Sequence, residues 1–450
     1  MKSINRITLG IGMSVLSVNV MAGSVDLSSL YQDSIENNPA LKSAAYEIER
    51  TGHQRDQLSG LYRPQVDADI QYGAMRKDYT TLTEIDSQGA SFGVRAGQNL
   101  YNQELNQSAQ LLTQQQEFSN ISYQVALESL QLSVAQRYLD TLKAQEALKQ
   151  ADANLHAIEE QLTQIKHRYS NGLVPENDVK EAQAQFDLAT TSVIFAQNDV
   201  EKALDGLYEL TGKSYDHVSP LNLAELELVI PSASQALNWE EQARTFSPQM
   251  LIQQQLVGLS KQQIQLAEAG HMPSLGLVAE YRYAFASKSQ TTPMGGVGQG
   301  WTDLDDNTTL FAGVAMTLPV YRGGTTSSKV EEASVQYQQS LQLQEQTWRQ
   351  VTRDIRSTQK DLAALKTAKV AYEQAVKSAE AALIATEQGF ELGSRTIVDV
   401  LNATQQVYQS KQQLSEAQID FILSALKLKY LGGELTEGDL KAVNSLASRT

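Results

Sequence analysis

The second half of this 450-residue chain repeats the first, which leaves few folds open to it. Asn38-Pro39 recurs as Ser247-Pro248, and Leu61-Tyr62-Arg63-Pro64 as Gly270-His271-Met272-Pro273, both 209 residues on. Gly93 to Tyr101 recurs as Gly313 to Tyr321 after 220 residues. The turn Ser170-Asn171-Gly172 with Asp178-Val179 recurs as Glu391-Leu392-Gly393 with Asp399-Val400 after 221. A seven-residue apolar step runs through both copies: Val179, Phe186, Val193, Val200 and Leu207 in one, Val400, Val407, Leu414, Phe421 and Leu428 in the other. A step of seven and a kept offset together define a duplicated unit of helix, strand pair, long helix, turn and long helix.

The stretches 103–170 and 325–392 contain no proline, and Gln and Ala are abundant around them. With apolar heptads this reads as coiled coil, each long helix on the order of 100 Å at 1.5 Å per residue. Shorter helices, roughly 41–62, 176–211, 249–270 and 397–431, are expected end to end beside them, so that each copy holds two columns. The expected division is residues 23–212 for the first copy, with a strand pair near 65–100 and a turn near 171–177. A linker at 213–235 carries Pro220 and Pro231. The second copy follows at 236–432, with a strand pair near 274–320 and a turn near 392–396, and a tail at 433–450 lies at mid-height with the linker.

After Pro64, Val66, Ala68, Ile70 and Tyr72 alternate with Asp67, Asp69, Gln71 and Gly73. After Pro273, Leu275, Leu277, Ala279, Tyr281 and Tyr283 alternate with Gly276, Val278, Glu280 and Arg282. Return strands are expected near 91–100 and 309–320, the latter with Leu310, Ala312, Val314, Met316 and Leu318 on one face. Runs of about ten residues match tilted strands crossing a bilayer, and also a soluble sheet with one wet face. Tyr72, Tyr101, Tyr281, Tyr283, Phe285, Phe311 and Tyr321 read as an interfacial aromatic belt, and 287–309 as a polar outer loop; both favour the bilayer. Four strands leave two open edges, which hydrocarbon does not tolerate, and a water-filled bore needs more than roughly eight strands. Three chains supply twelve.

Lys2 and Arg6, the apolar stretch from Ile7 to Val20 and the small-residue site Val20-Met21-Ala22 form a secretory signal cleaved after Ala22. The chain holds no cysteine, so disulfides, thiolate zinc sites and a lipidated N-terminal cysteine are excluded. Its net charge is −16, and −18 without Lys2 and Arg6; non-specific nucleic-acid binding needs the opposite sign. His53, His156, His167, His217 and His271 are scattered without metal-ligand spacing. Gly295-Gly296-Val297-Gly298-Gln299-Gly300 lacks the Lys-Ser/Thr of a phosphate loop, and Gly323-Gly324 suits a strand-to-helix corner. Asp303-Leu304-Asp305-Asp306 reads as a solvated loop. No nucleophile–base set is present, so no enzyme, cofactor or metal is expected.

Gly393-Ser394-Arg395-Thr396-Ile397-Val398-Asp399-Val400-Leu401-Asn402-Ala403-Thr404 resembles the second-repeat turn of the TolC family, the outer-membrane efflux and secretion channels of Gram-negative bacteria. Gly172-Leu173-Val174-Pro175 with Asp178-Val179 resembles the first-repeat counterpart, and the likeness extends over the mature chain. The resemblance implies a mixed α and β fold, mostly long coiled coils plus four membrane strands per chain. It further implies a homotrimer forming a 12-stranded β-barrel in the outer membrane, continuous with a periplasmic α-helical barrel. Its partners would be a periplasmic adaptor protein and an inner-membrane efflux or ABC transporter. The duct itself is passive.

In that resemblance Asp399 lines the narrow periplasmic entrance with Asn402, where a second acidic ring is usual. Arg395 ties the second turn to Asp178, with Asn177 and Phe390 as further contacts holding the gate; Phe390 stands where the family has tyrosine and Asn177 where it has threonine. Gly172, Leu173, Val174, Gly393 and Ser394 form the tips that meet the adaptor. Three carboxylates related by threefold symmetry favour cations, and partly exposed ion pairs are worth about 0.2–1 kcal/mol each, weak enough for a docking partner to overturn. With Asn402 and Phe390 the closed state is expected to open more easily than the family pattern. The competing reading is a secreted or surface coiled-coil adhesin or receptor without a transport role.

Overall fold

The computed structural model describes residues 24–79, 83–222, 239–291 and 301–445. The expected signal segment, the linker beyond residue 222, the Gly-rich run 295–300 and the last five residues lie outside them. In the first copy run α1 (Leu27–Asn37), α2 (Pro39–Gly60), β1 (Gln65–Tyr79), β2 (Thr83–Asn102), α3 (Gln103–Ser170) and α4 (Glu176–Thr211). In the second run α5 (Trp239–Phe246), α6 (Pro248–Ala269), β3 (Ser274–Thr291), β4 (Trp301–Thr317), α7 (Thr325–Glu391) and α8 (Ile397–Gly432), followed by α9 (Glu437–Asn444). The 221-residue offset is kept at both ends of α4 and α8 and at two pairs of left-handed glycines, Gly172 with Gly393 and Gly212 with Gly433.

Local chemistry sets the breaks. The Asn38 side chain accepts from Leu41 N at 3.0 Å, and Pro39 occupies the first helical position, where its missing N–H costs nothing. Asn102 caps α3 in the same way through Leu105 N at 3.1 Å. From there 68 residues run without a proline until Gly172 turns the chain.

The short helices stack end to end. Asn38 Nδ2 donates to Leu210 O at 3.4 Å, so α2 begins where α4 ends. In the second copy the backbone of Gly433, just past α8, abuts Phe246 O, just ahead of α6. The α4/α2 column packs on α3, α3 packs on α6 and α8, and these pack on α7. The lateral order is therefore α4/α2, α3, α8/α6, α7, with a free flank at each end.

At mid-height of α3, Val134, Ala135, Tyr138 and Leu139 are fully buried among α1, α4, α8 and α9. Val25 bridges to Val218, Tyr138 OH donates to Ser219 O at 2.7 Å, and Leu27 N donates to Asn444 Oδ1 at 3.1 Å. The chain start, the described part of the linker and α9 thus form one belt.

The sheet is antiparallel in the order β1-β2-β3-β4, with the outer edges of β1 and β4 unpaired. Its register builds one apolar face in rows, Val66–Ala96–Ala279–Ala312, Ala68–Val94–Tyr281–Leu310 and Ile70–Phe92–Tyr283. Ile70 and Leu310 are 80% and 79% exposed in the chain. The opposite face carries Asp67–Arg95–Glu280 and Asp69–Gly93–Arg282. There Glu280 accepts from Arg95 Nη2 at 3.4 Å and from Arg282 Nε at 3.2 Å.

Three strand expectations are corrected. The strands have 15, 20, 18 and 17 residues rather than about ten, β2 starting at Thr83 and β4 ending at Thr317, ahead of Leu318 and Val320. Hairpin pairing continues through polar residues because the ladder joins backbones, whatever the side chains. Tyr72 and Tyr281 consequently fall mid-strand. Phe311, placed in the aromatic belt, pairs with Glu280 and shares the polar face. Among the described residues no helix is long and apolar enough to cross a membrane.

Candidate functional site

The far ends of the coils, opposite the sheet, converge on two equivalent turns. Gly172 (φ 73°) and Gly393 (φ 75°) reverse the chain where other residues are strained. In the first turn Gly172 N donates to Tyr169 O at 2.9 Å and Leu173 N to Arg168 O at 3.0 Å. In the second, Gly393 N donates to Phe390 O at 3.1 Å and Ser394 N to Gly389 O at 2.8 Å. Leu173 and Leu392 project from the tips, 72% and 85% exposed. Val174 folds inward instead, onto a core of Ile158, Leu162, Ile165, Ala182, Ile397, Val400 and Leu401, which joins both hairpins into one tip.

Asp399 is engaged in a capping box. Its Oδ2 accepts from Thr396 N and Thr396 Oγ1, both at 2.9 Å, while Thr396 Oγ1 accepts from Asp399 N at 3.3 Å. The Thr396 backbone N–H, then its hydroxyl, hold the Asp399 carboxyl below its ordinary value of 3.8, helped by the charge of Arg395. The Thr396-x-x-Asp399 spacing is the sequence signal for this cap. Asn402, three residues on, is exposed beside the partly exposed Asp399.

Arg395 lies with its stem against Gly389, where a methyl group would approach Arg395 Cγ to 2.8 Å. Among the described residues neither Asp178 nor Asn177 bonds to Arg395 within the chain; both stand in the first turn of α4, on the chain's open flank. Phe390 is half-buried against the tip core, and Arg168 Cζ lies 4.8 Å from its ring centre. Arg168 was not singled out from sequence, and neither was Gln161, whose Nε2 donates to buried Thr404 Oγ1 at 2.9 Å. Lys411–Glu380 at 2.9 Å and Lys143–Asp420 at 3.0 Å tie the coils higher up. Cross-helix pairs of this kind carry no local sequence signature. No group of three or more metal-ligating side chains gathers among the described residues.

A duplicated coil bundle ending in paired turns, continuous with a sheet that is apolar on one face and charged on the other, is the architecture of a membrane channel subunit. The model of the outer membrane efflux protein family matches this chain twice, over residues 30–213 and 239–434, once per repeat, and the chain belongs to that family. It is an outer-membrane efflux channel of the TolC type, not an enzyme. It is 31% identical over 446 residues to the outer membrane protein TolC of Vibrio cholerae serotype O1, covering 99% of this chain and 98% of that protein. To the outer membrane protein TolC of Escherichia coli strain K12 it is 29% identical over 440 residues, 98% and 88% of the two chains. The fold matches the solved outer membrane channel CmeC of Campylobacter jejuni with a TM-score of 0.72 at 14% identity, covering 99% of this chain and 98% of that one.

Proposed function

We propose that three copies close into a passive exit duct, a 12-stranded barrel in the outer membrane continuous with a helical barrel in the periplasm. The observation that carries this reading is the pair of open flanks. The sheet ends in unpaired β1 and β4 edges, and the helical layer ends in α4/α2 on one side and α7 on the other. Ring closure joins β4 to the next β1 and α7 to the next α4/α2, so one operation satisfies both. The apolar rows then face lipid and the Arg95–Glu280–Arg282 ladder faces the bore.

In this reading residues 1–22 are removed as the signal, and 23–212 and 236–432 are the two repeats around the linker 213–235 and tail 433–450. The turns form the periplasmic entrance, with Asp399 and Asn402 ringing it. Arg395 of one protomer reaches Asp178 and Asn177 of the next, the contact a single chain cannot make. The tips at Gly172, Leu173, Val174, Gly393 and Ser394 meet a periplasmic adaptor, which joins the duct to an inner-membrane pump. Cargo includes small toxic compounds and secreted proteins. The relative named proteases secretion protein PrtF from Dickeya chrysanthemi, 28% identical over 70% of this chain and 66% of that protein, supports the second class.

Single-channel conductance of the unboiled protein in a planar bilayer tests the reading, with Asp399→Asn and Arg395→Ala alongside. Small cation-preferring openings are expected, with weaker preference in the first variant and larger conductance in the second. A folded oligomer that never conducts would leave the surface adhesin standing. A conducting channel unaltered by either variant would remove the gate assignment alone.

A further inference from the structure

The two copies use the same helix faces differently at mid-height. In the first copy Leu132, Ala135 and Leu139 of α3 belong to the core shared with Ile419, Ile422 and Leu426 of α8. Lys143–Asp420 marks the level at which these two helices meet. Shifted by the 221-residue offset, Leu132, Ala135 and Leu139 become Arg353, Arg356 and Lys360 of α7, and Glu128 becomes Arg349. Shifted back, Ile422 and Leu426 become Glu201 and Asp205 of α4, and Tyr430 becomes Glu209. All seven charged residues are exposed in the chain.

Arg349, Arg353, Arg356 and Lys360 are spaced four, three and four apart and so make one stripe along α7, an uncommon concentration of positive charge in a chain of net charge −16. They line a shallow groove of about 520 Å³ with Trp348. Three of them pair within the chain with exposed or partly exposed carboxylates: Arg349–Glu345 at 2.7 Å, Arg353–Asp354 at 2.8 Å and Arg356–Glu240 at 2.8 Å. Lys360, Glu201 and Asp205 have no ion-pair partner among the described residues, while Glu209 faces Arg137 at 3.3 Å. Lys202, the one cation between these acids, is already paired to Asp199 at 3.1 Å.

We propose that the α7 stripe Arg349–Arg353–Arg356–Lys360 docks on the acidic face Glu201–Asp205–Glu209 of α4 in a second copy of this chain. This makes an electrostatic seam between protomers at the level where the α3/α8 seam within a protomer is mainly apolar, with Lys143–Asp420 at its edge. The proposal rests on the trimeric reading above. The repeat supplies the register: Lys143 opposite Asp420 maps to Ala364 opposite Asp199 of the next copy, which brings Lys360 to the height of Glu201 and Asp205, and Arg353 to that of Glu209. The charge is confined to this level: towards the tip the same flanks expose Ile194 and Phe195 of α4 and Val370 and Ile384 of α7, so apolar contacts add area while the charged stripe sets partner and height. Charge on the intermolecular seam favours the right face and rejects a like-charged one.

The test is a charge swap read by the temperature at which the unboiled trimer falls to monomer in mild detergent. Arg353→Glu with Lys360→Glu on one side, and Glu201→Lys with Asp205→Lys on the other, each lower that temperature. All four together restore most of it, because only the paired reversal rebuilds attraction. High salt lowers it in the parent and not in either half-swap. A parent trimer whose dissociation is unmoved by the half-swaps, or half-swaps that the four-residue variant fails to rescue, overturns the seam and leaves the trimer intact. A parent that is monomeric under all conditions overturns the trimeric reading and the seam with it.

Discussion

The guanidinium of Arg168 sits 4.8 Å from the centre of the Phe390 ring, joining the last turn of α3 to the last turn of α7. These two helices otherwise approach the tip in separate repeats, each with its own hairpin partner. A tyrosine at this position would add a hydroxyl; here the link is cation on ring face. Contacts of this kind contribute about 0.5–1 kcal/mol at exposed sites. Arg168→Ala should therefore speed amide exchange at both turns, 169–174 and 389–395, while Phe390→Tyr, which keeps the ring, should not. Exchange measured on the assembled protein distinguishes the two.

The Asp399 cap makes the start of α8 acid-sensitive. Its carboxyl titrates below 3.8 in the folded chain because the Thr396 N–H, and next its hydroxyl, bind the charged form. A depressed carboxylate stabilises above its unfolded value, and that contribution is lost as pH falls through the folded value. Amides at 397–401 should thus lose protection as pH drops below 3.8, beyond the intrinsic pH dependence of exchange, and Asp399→Asn should abolish the step. Thr396→Ala should loosen the same amides at neutral pH, costing about 1 kcal/mol.

Two equivalent glycines should respond unequally to alanine. Gly212 and Gly433 both hold left-handed backbone, at φ 67° and 74°, so each substitution costs roughly 1–2 kcal/mol in conformation alone. Around Gly212 there is open space, whereas a methyl group at 433 would lie 2.1 Å from Phe246 O. Gly433→Ala should therefore lower thermal stability well beyond Gly212→Ala and separate α8 from α6. Parallel melting curves of the two variants decide it.

Neighbouring residues of β1 should separate lipid from bore. Ile70 lies in the apolar row with Phe92 and Tyr283, and Gln71 faces the opposite side with Ser91 and Ala284. Lysine on a lipid-facing strand position costs about 2–4 kcal/mol near the midplane. Ile70→Lys should abolish the heat-modifiable band on a gel, and Gln71→Lys should leave it in place. Equal behaviour of the two would contradict a membrane barrel.

The duplication, the breaks at Pro64 and Pro273, the long helices and the position of both turns were legible in the residues, because each depends on local chemistry. Proline and glycine act on their own backbone, heptads act within one helix, and the 221-residue offset carries one copy's pattern onto the other. The Thr396-x-x-Asp399 cap has a local signal of the same kind, although Asp399 was expected only as an entrance carboxylate. Strand length was not, since Thr83 to Gly89 pair through backbone ladders whose partners lie across the hairpin. The face of Phe311 followed only from its pairing with Glu280. Arg168 over Phe390 and Gln161 on Thr404 join segments more than two hundred residues apart, and no local pattern encodes which side chains such segments bring together. Sequence alone determined the elements and their repetition; tertiary structure decided which faces meet and which flanks stay open, because contact is a property of two surfaces and a sequence displays them one at a time.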